Sequence, residues 1–332
     1  MGSEMCIRDR CYCRAHAFDV RGKIMALPQH LQDLAQQVSN WGRWGADDRR
    51  GTLNLIDAAA IRRGLDAAKQ GRVISLSFSF DETGPQTGSI PGRENAQRVM
   101  TMLNLAYTGD PTNFCTNDDS VNMGVQSSTH WDSLAHAGYN NLLYNNVSDS
   151  TVDSAGSHEH GIETFGPIVS RGVLLDVARA QGVEYLAGGY AITGEDLDAA
   201  VALAKVTIAP GDIICLRTGH ELHRIAGDNF AYADACPGPS TQSIRWFRDH
   251  DIAAVATDNM AFECYPCEDP NVLLPVHMIH LRDMGLIQGQ NWSLNTLSQD
   301  CAKDGQYDFL LSASPLPLTR SVGGPIAPTA IK

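Results

Sequence analysis

The chain has 332 residues, of which 43% are hydrophobic and 19% charged, with a formal net charge of −13 at pH 7. That is an ordinary globular composition, with core material for one large domain or two modest ones. The acidic balance disfavours nucleic acid and anionic membrane surfaces, both polyanions, as partners. No apolar run approaches the roughly 18 to 20 residues that span a bilayer, so a small-molecule substrate is expected.

Residues 1–24, MGSEMCIRDRCYCRAHAFDVRGKI, hold three of the nine cysteines and five basic against three acidic residues, without the apolar stretch of a secretory signal. MCIRDR looks like translated adaptor sequence, so 1–24 reads as a non-native extension and the native chain is expected to begin at Met25. From Leu27 to Asn40 the apolar spacing suits a helix. A Gly-rich loop, Trp41 to Asp57, leads to a second helix at about Asp57 to Gln70. In RVISLSFSF, Ile74, Leu76, Phe78 and Phe80 alternate with serines or their neighbours, which predicts a half-buried strand. Residues 81–122 are rich in Gly, Pro, Asn, Asp and Thr, and short strands with substrate-facing loops are expected there. A polar loop is expected over 138–166.

RGVLLDVA (171–178), GDIICLRTG (211–219) and IAAVATD (252–258) read as buried strands. Helices are expected at Thr193 to Lys205, with Thr193 as N-cap, and at Ser240 to Asp251. Strands alternating with helices predict an α/β layer; the serine-alternating strand and the loops beside it predict a smaller antiparallel sheet. No repeat or linker divides the chain, so residues 25–332 are expected to form one domain. Cys264 and Cys267 have a CxxC spacing, but no second pair accompanies them. They read as structural or loop thiols in a reducing cytoplasm.

QSSTHWDSLAH, residues 126–136, carries the chemistry. In an extended chain Gln126, His130, Asp132 and His136 share one face. Imidazole, carboxylate and amide oxygen suit an open site for Zn²⁺ or Mn²⁺, and the absence of cysteine argues against closed structural zinc. The competing reading is a pair of satisfied histidines with Asp132 capping a turn.

The segment resembles the HxGTHxDxPxH signature of the cyclase family, which includes bacterial kynurenine formamidase and isatin hydrolase, and Thr129, His130, Asp132 and His136 keep it. WGRWGADDRRGTLNLI, RGVLLDVA, GDIICLRTG, HMIHLRDMGLIQGQNWSL and DFLLSASPLPL are similar to other family segments in the same order, over about residues 40–330. The resemblance implies a swivelling β/β/α-type fold with a mixed central sheet. It also implies hydrolysis of a small cyclic or aryl amide or lactone, a metal held through positions 126, 130 and 132, and His136 as general base. Metal coordination lowers the pKa of a bound water from 15.7 to roughly 7, and a nearby imidazole takes its proton.

Two positions depart from the family pattern: the motif's first His is Gln126, and the later Glu falls on Gln290, while the later His is His277. Two divalent ions about 3.5 Å apart repel by roughly 19 kcal/mol at an effective dielectric near 20, which bridging carboxylates must offset. One divalent ion, Mn²⁺ or Zn²⁺, is therefore expected on Gln126, His130 and Asp132, with His277 or Gln290 completing the shell or touching substrate. Trp41 and Trp44 are weaker candidates to line the pocket. His158 and His160 read as residues of a solvated loop rather than substrate contacts, and Asp258 and Glu263, at and after a strand end near the site, as either structural hydrogen-bonding groups or catalytic ones. A homodimer is expected, with Trp41 to Leu55 as an arm to the neighbour. The alternative function is a non-catalytic, ligand-binding family member whose metal site has degenerated.

Overall fold

The computed structural model describes residues 27–332, so the expected extension over 1–24 and the start at Met25 lie outside the described residues. The strands that matter here are β1 (Val73–Ser75), β2 (Gln97–Ala106), β3 (Cys115–Asn122), β4 (His130–Asp132), β5 (Val169–Asp176), β6 (Ile213–Arg217), β7 (Ala254–Thr257), β8 (Ile287–Gln290), β9 (Asp308–Ser312), β10 (Gly323–Pro325) and β11 (Thr329–Ile331). The helices that matter here are α1 (Gln29–Val38), α2 (Ala58–Ala67), α3 (Gly194–Ala204), α4 (Ile244–Asp249), α5 (Pro275–His277) and α6 (Asn295–Asp304).

Nine strands form one mixed sheet in the order β1-β11-β9-β5-β6-β7-β8-β4-β10. Its centre, β5 to β8, is parallel, and the strands flanking it are antiparallel. The central strands read as unbroken apolar runs because both their faces are covered. Val173, Leu175, Ile214, Leu216 and Val255 meet Leu31, Ala35 and Val38 of α1 and Leu197 and Ala200 of α3 on one face. Leu174, Ile213, Cys215, Ala254 and Ala256 meet Leu53, Trp131, Trp292, Leu297 and Phe309 on the other. The period of two in the sequence thus sorts alternate residues into two separate cores.

The helix signals act as expected. Asp57 accepts a hydrogen bond from the Ala60 amide and starts α2. Thr193 and Asp196 form a reciprocal capping box at α3, which satisfies amides that the first turn leaves without intrahelical partners. The helix expected at 240–251 is shorter, Ile244–Asp249.

Two expectations are corrected. The serine-alternating segment belongs to no second sheet: β1 is the edge strand of the large one, paired with β11, and Leu76 and Phe78 continue inward from it. A smaller antiparallel sheet is present, but from the loop segment 81–122 without the serine-alternating strand: β2 and β3 make a hairpin of ten and eight residues, far longer than the short strands expected. Turn-forming residues in 107–114 fix the reversal, while the strands use β-branched and unbranched apolar residues diluted among Asn, Thr and Ser.

Candidate active site

Register places the site. β4 lies between β8 and β10, with His130 opposite Gln290 and Pro325, and Asp132 opposite Gly323. Directly opposed residues share a face, so the side chains of His130, Asp132 and Gln290 project together. Trp131 projects to the other face, where it packs edge-on against Trp292 with ring centroids 4.9 Å apart and donates from Nε1 to the Ala313 carbonyl at 2.7 Å. Burying each indole removes roughly 200 Å² from water, about 5 kcal/mol of transfer free energy before ordering costs. Gly289, opposite Trp131, makes room: a Cβ there would lie 2.7 Å from both Trp131 and Trp292 ring atoms. The donor face is therefore backed by rigid aromatic packing.

Only 130–132 is extended, so the expected shared face of a continuous strand does not exist. Turns on either side nevertheless fold Gln126 and His136 back onto it. Gln126 Nε2 lies 3.4 Å from His136 Nδ1, and His136 Nε2 lies 3.7 Å from Asp132 Oδ1. A Cβ on Gly323 would sit 2.6 Å from Gln126 Nε2, so this glycine leaves the amide its place.

The hydrogen-bond pattern fixes the ring forms. His130 Nδ1 is 2.7 Å from the Ser128 carbonyl, which can only accept, so Nδ1 carries the proton and Nε2 a lone pair. That lone pair points at Asp132 Oδ1, 3.4 Å away, and both atoms are buried without a hydrogen-bond partner. Two facing acceptors in a dry site are unfavourable unless a cation or proton lies between them. Burial raises the Asp132 pKa, but the His136 and His130 imidazoles more than offset this and hold the carboxyl well below its usual range. Burial pulls His136 down to about 4 against the pull of Asp132, with His277 and Arg93 acting in the same direction as burial, so its ring is neutral at pH 7. His136 is also the accessible member of this trio, with its side chain 22% exposed while His130 and Asp132 are sealed.

Gln290 and His277 form the second half of the cluster. Gln290 Nε2 donates to Asp132 Oδ2 at 2.7 Å and lies 3.1 Å from His277 Nε2. His277 Nδ1 is 2.6 Å from Glu263 Oε1, and Glu263 also accepts from the amides of Val276 and His277 at the start of α5. Glu263 thus sets the His277 ring so that its Nε2 lone pair meets the Gln290 amide.

Sequence reasoning did not single out Arg93. It is half-buried and packs its stem against Gly124. Among the described residues its side chain makes no hydrogen bond or ion pair, yet its charge is felt at both Asp132 and His136. Burial lowers its pKa and Asp132 raises it. No spacing rule marks such a residue, because its place depends on how 81–122 folds.

The other candidates fall outside the cluster. Trp41 donates to the Arg282 carbonyl at 2.6 Å and lies under the Arg282 guanidinium, and Trp44 lies beneath Arg43. Neither makes a hydrogen bond or ring contact with the cluster. The segment 41–55 folds onto its own chain, with Thr52 donating to Ala253 and Arg49 pairing with Glu159. His158 pairs with Asp153 at the surface, and His160 is buried against the Tyr144 carbonyl. Asp258 accepts from the Thr218 and Gly219 amides, a structural role. Cys264 and Cys267 are free thiols whose pKa values burial raises to about 12.

Among the described residues no three His, Cys, Asp or Glu side chains form a ready metal cage, and no helix is long and apolar enough to cross a membrane. The donors present are the His130 Nε2 and Asp132 Oδ1 pair, with His136 and the Gln126 amide beside it. A cation fits this pair, since it would satisfy both orphaned acceptors at once.

The mixed sheet thus carries His130 and Asp132 on a strand between two antiparallel neighbours, with His136 folded back beside them. Residues 33–264 match the family model described as "Putative cyclase". The chain belongs to the cyclase family. It is similar to the crystal structure of a novel cyclase, with 35% identity and a TM-score of 0.82, covering 90% of this chain and 99% of that one. It shares its fold with isatin hydrolase A from Ralstonia solanacearum, at 17% identity and a TM-score of 0.57, over 82% of this chain and 95% of that one. An isatin hydrolase bound to the product analogue thioisatinate is 17% identical, with a TM-score of 0.54, over 83% and 98%. A search of curated proteins finds no match.

Proposed function

We propose that the chain is a metal-dependent hydrolase of a small cyclic or aryl amide or lactone, with His136 as general base. The observation that carries the reading is the pair of buried, unpartnered acceptors, His130 Nε2 and Asp132 Oδ1, 3.4 Å apart. One divalent ion, Mn²⁺ or Zn²⁺, would be held there by His130 and Asp132, with the Gln126 amide beside them. When bound it would supply Lewis-acid polarisation and an acidified water.

The chain's own residues account for the rest. His136, neutral at pH 7 and open to solvent on one side, is in the form that accepts a proton. The Gln126 amide, 3.4 Å from Nδ1, positions that ring. Arg93, unpaired beside the cluster, attracts negative charge, which suits the oxyanion formed as an acyl carbon is attacked or the carboxylate released afterwards. Gln290 explains the single ion. Its amide nitrogen occupies the lone pairs of Asp132 Oδ2 and His277 Nε2, two donors a second ion would need, and it brings no negative charge.

The test is elemental analysis of protein purified without chelator, followed by a screen of N-formyl aromatics, isatin-like lactams and aryl lactones before and after metal removal. About one ion per chain and turnover that disappears on stripping are expected. Full turnover in verified metal-free protein would refute the mechanism. Ligand binding without turnover of any of these classes would favour the non-catalytic alternative.

A further inference from the structure

Arg93 stands beside the cluster and, among the described residues, has no partner for its guanidinium. Its nitrogens are still open to a ligand. Where Nε of Arg50 and of Arg217 is sealed from solvent without a partner, no side-chain nitrogen of Arg93 is. The side chain is also held in place by its surroundings. Gln86 Nε2 donates to the Ser127 carbonyl at 2.8 Å, the Phe78 amide to Thr129 Oγ1 at 2.8 Å and the Gly124 amide to the Glu94 carbonyl at 3.1 Å, so the segment 78–95 is tied to residues 124–129. A Cβ on Gly124 would lie 3.4 Å from Arg93 Cα and Cγ, so the glycine lets the Arg93 stem lie close. Beside it is a cavity of about 540 Å³, within the range of small-molecule sites, lined by Gln86, Arg93, Asn95 and Arg98 with the exposed Glu82 and Glu94. The two glutamates make no ion pair with Arg93, and the exposed Arg98 faces Asp119 at 3.7 Å. Arg93 is thus left as the unanswered charge of this cavity.

We infer that Arg93 receives a fixed carboxylate of the substrate, so that the class this chain hydrolyses is an amide or lactone that also bears a carboxylic acid group. The inference rests on the hydrolase reading above and narrows it. A half-buried cation without a counter-charge is costly to keep, and a guanidinium matches a carboxylate with two parallel hydrogen bonds. Its position selects a group away from the reacting carbon. Arg93 feels the charge of Asp132 yet forms no ion pair with it, so it stands off from the cluster and leaves room between them for part of a bound molecule. A carboxylate a few bonds from the scissile acyl carbon spans that gap, and a neutral lactam does not. The net charge of −13 repels anions in general, but solvent-exposed charges are screened beyond about 8–10 Å, so recognition falls to the local guanidinium. The ties from 78–95 to the motif hold Arg93 in place before substrate arrives, which reduces the ordering cost of binding.

The test is isothermal titration calorimetry of the full chain, purified without chelator, with ortho-aminobenzoate and with ortho-aminoacetophenone, a neutral ligand of similar shape. Neither has a bond to hydrolyse, so the readout is independent of turnover. Wild type is expected to bind the acid at least about ten-fold more tightly than the ketone. Arg93→Gln should erase that preference while leaving ketone binding and the melting curve unchanged, since the guanidinium holds nothing on this chain. Arg93→Lys, which keeps the charge and loses the fork, should retain part of it. Arg98→Gln removes the same charge from an exposed side chain and should keep the full preference. Equal affinities in wild type, or no binding of the acid at millimolar concentration, overturn the proposal. So does an acid preference that survives in Arg93→Gln, which would assign the carboxylate to a bound metal instead. Acid-selective binding in a protein that turns over none of the screened classes would keep the Arg93 subsite and remove the hydrolase reading. Turnover of neutral amides without any preference for acids would do the reverse.

Discussion

Replacing Gln290 with Glu puts a carboxylate where an amide now donates 2.7 Å to Asp132 Oδ2. Two unit negative charges at that separation repel by about 6 kcal/mol at an effective dielectric near 20. The variant has two ways out. At pH 7 it can bind a proton, which limits the penalty to about 4 kcal/mol because its ordinary pKa is about 4.3 and each unit is worth about 1.4 kcal/mol. It can instead recruit a cation, since Asp132, His277 Nε2 and the new carboxylate would then form a charged donor set held by Glu263. Without metal the variant should therefore melt several degrees below wild type, at roughly 2 °C per kcal/mol. With Mn²⁺ or Zn²⁺ it should recover most of that loss and carry nearly two ions per chain, against about one in wild type. Adding Gln126→His should strengthen the effect by supplying an imidazole in place of the amide. The assay is elemental analysis combined with melting curves in chelator and in excess metal. Two tightly bound ions in wild type would refute the reasoning. So would a chelated variant that melts within a degree or two of chelated wild type.

Asp132→Ala or His130→Ala should lose bound metal and at least a hundred-fold in turnover together, because each removes one of two buried charged or strong donors; elemental analysis on the same samples checks the link. Gly323→Ala, whose Cβ would displace the Gln126 amide, should lower kcat more than it lowers the melting temperature; a variant with wild-type kcat would show that Gln126 does not position His136. His160, His220 and His280 are held at about 4, 4 and 3 by burial, so each is neutral in the fold but titrates near 6.5 when unfolded. Below pH 6.5 the unfolded chain takes up protons first. Stability from these groups is thus present above 6.5 and falls by about 1.4 kcal/mol per histidine per unit as pH drops toward 4. His136, also held at about 4, makes a fourth such group, so melting curves at pH 7, 6 and 5 should show this slope, reduced by about a quarter in His280→Gln. Arg93→Gln should raise KM more for a substrate bearing a carboxylate than for its neutral analogue; equal effects on both would remove Arg93 from substrate recognition.

The sequence by itself determined the central strands, because unbroken apolar runs of strand length between helical patterns leave only a sheet covered on both faces. It also determined the helix starts at Asp57 and Thr193, where the side chain caps its own backbone within four residues. The meeting of His130, Asp132 and His136 was legible as a spacing, although turns rather than one extended strand bring them together. Three features were decided only by tertiary structure. Gln290 reaches Asp132 because β8 pairs with β4 in a register that joins residues 158 apart, and no local rule sets that register. Glu263 orients His277 across a loop, and Arg93 is brought beside the site from a segment whose composition reads only as loop. The hairpin was hidden by that same composition: Asn, Thr and Ser diluted its strand signal. It has no buried face in the single chain, and a period of two marks a strand only when one of its faces is buried there.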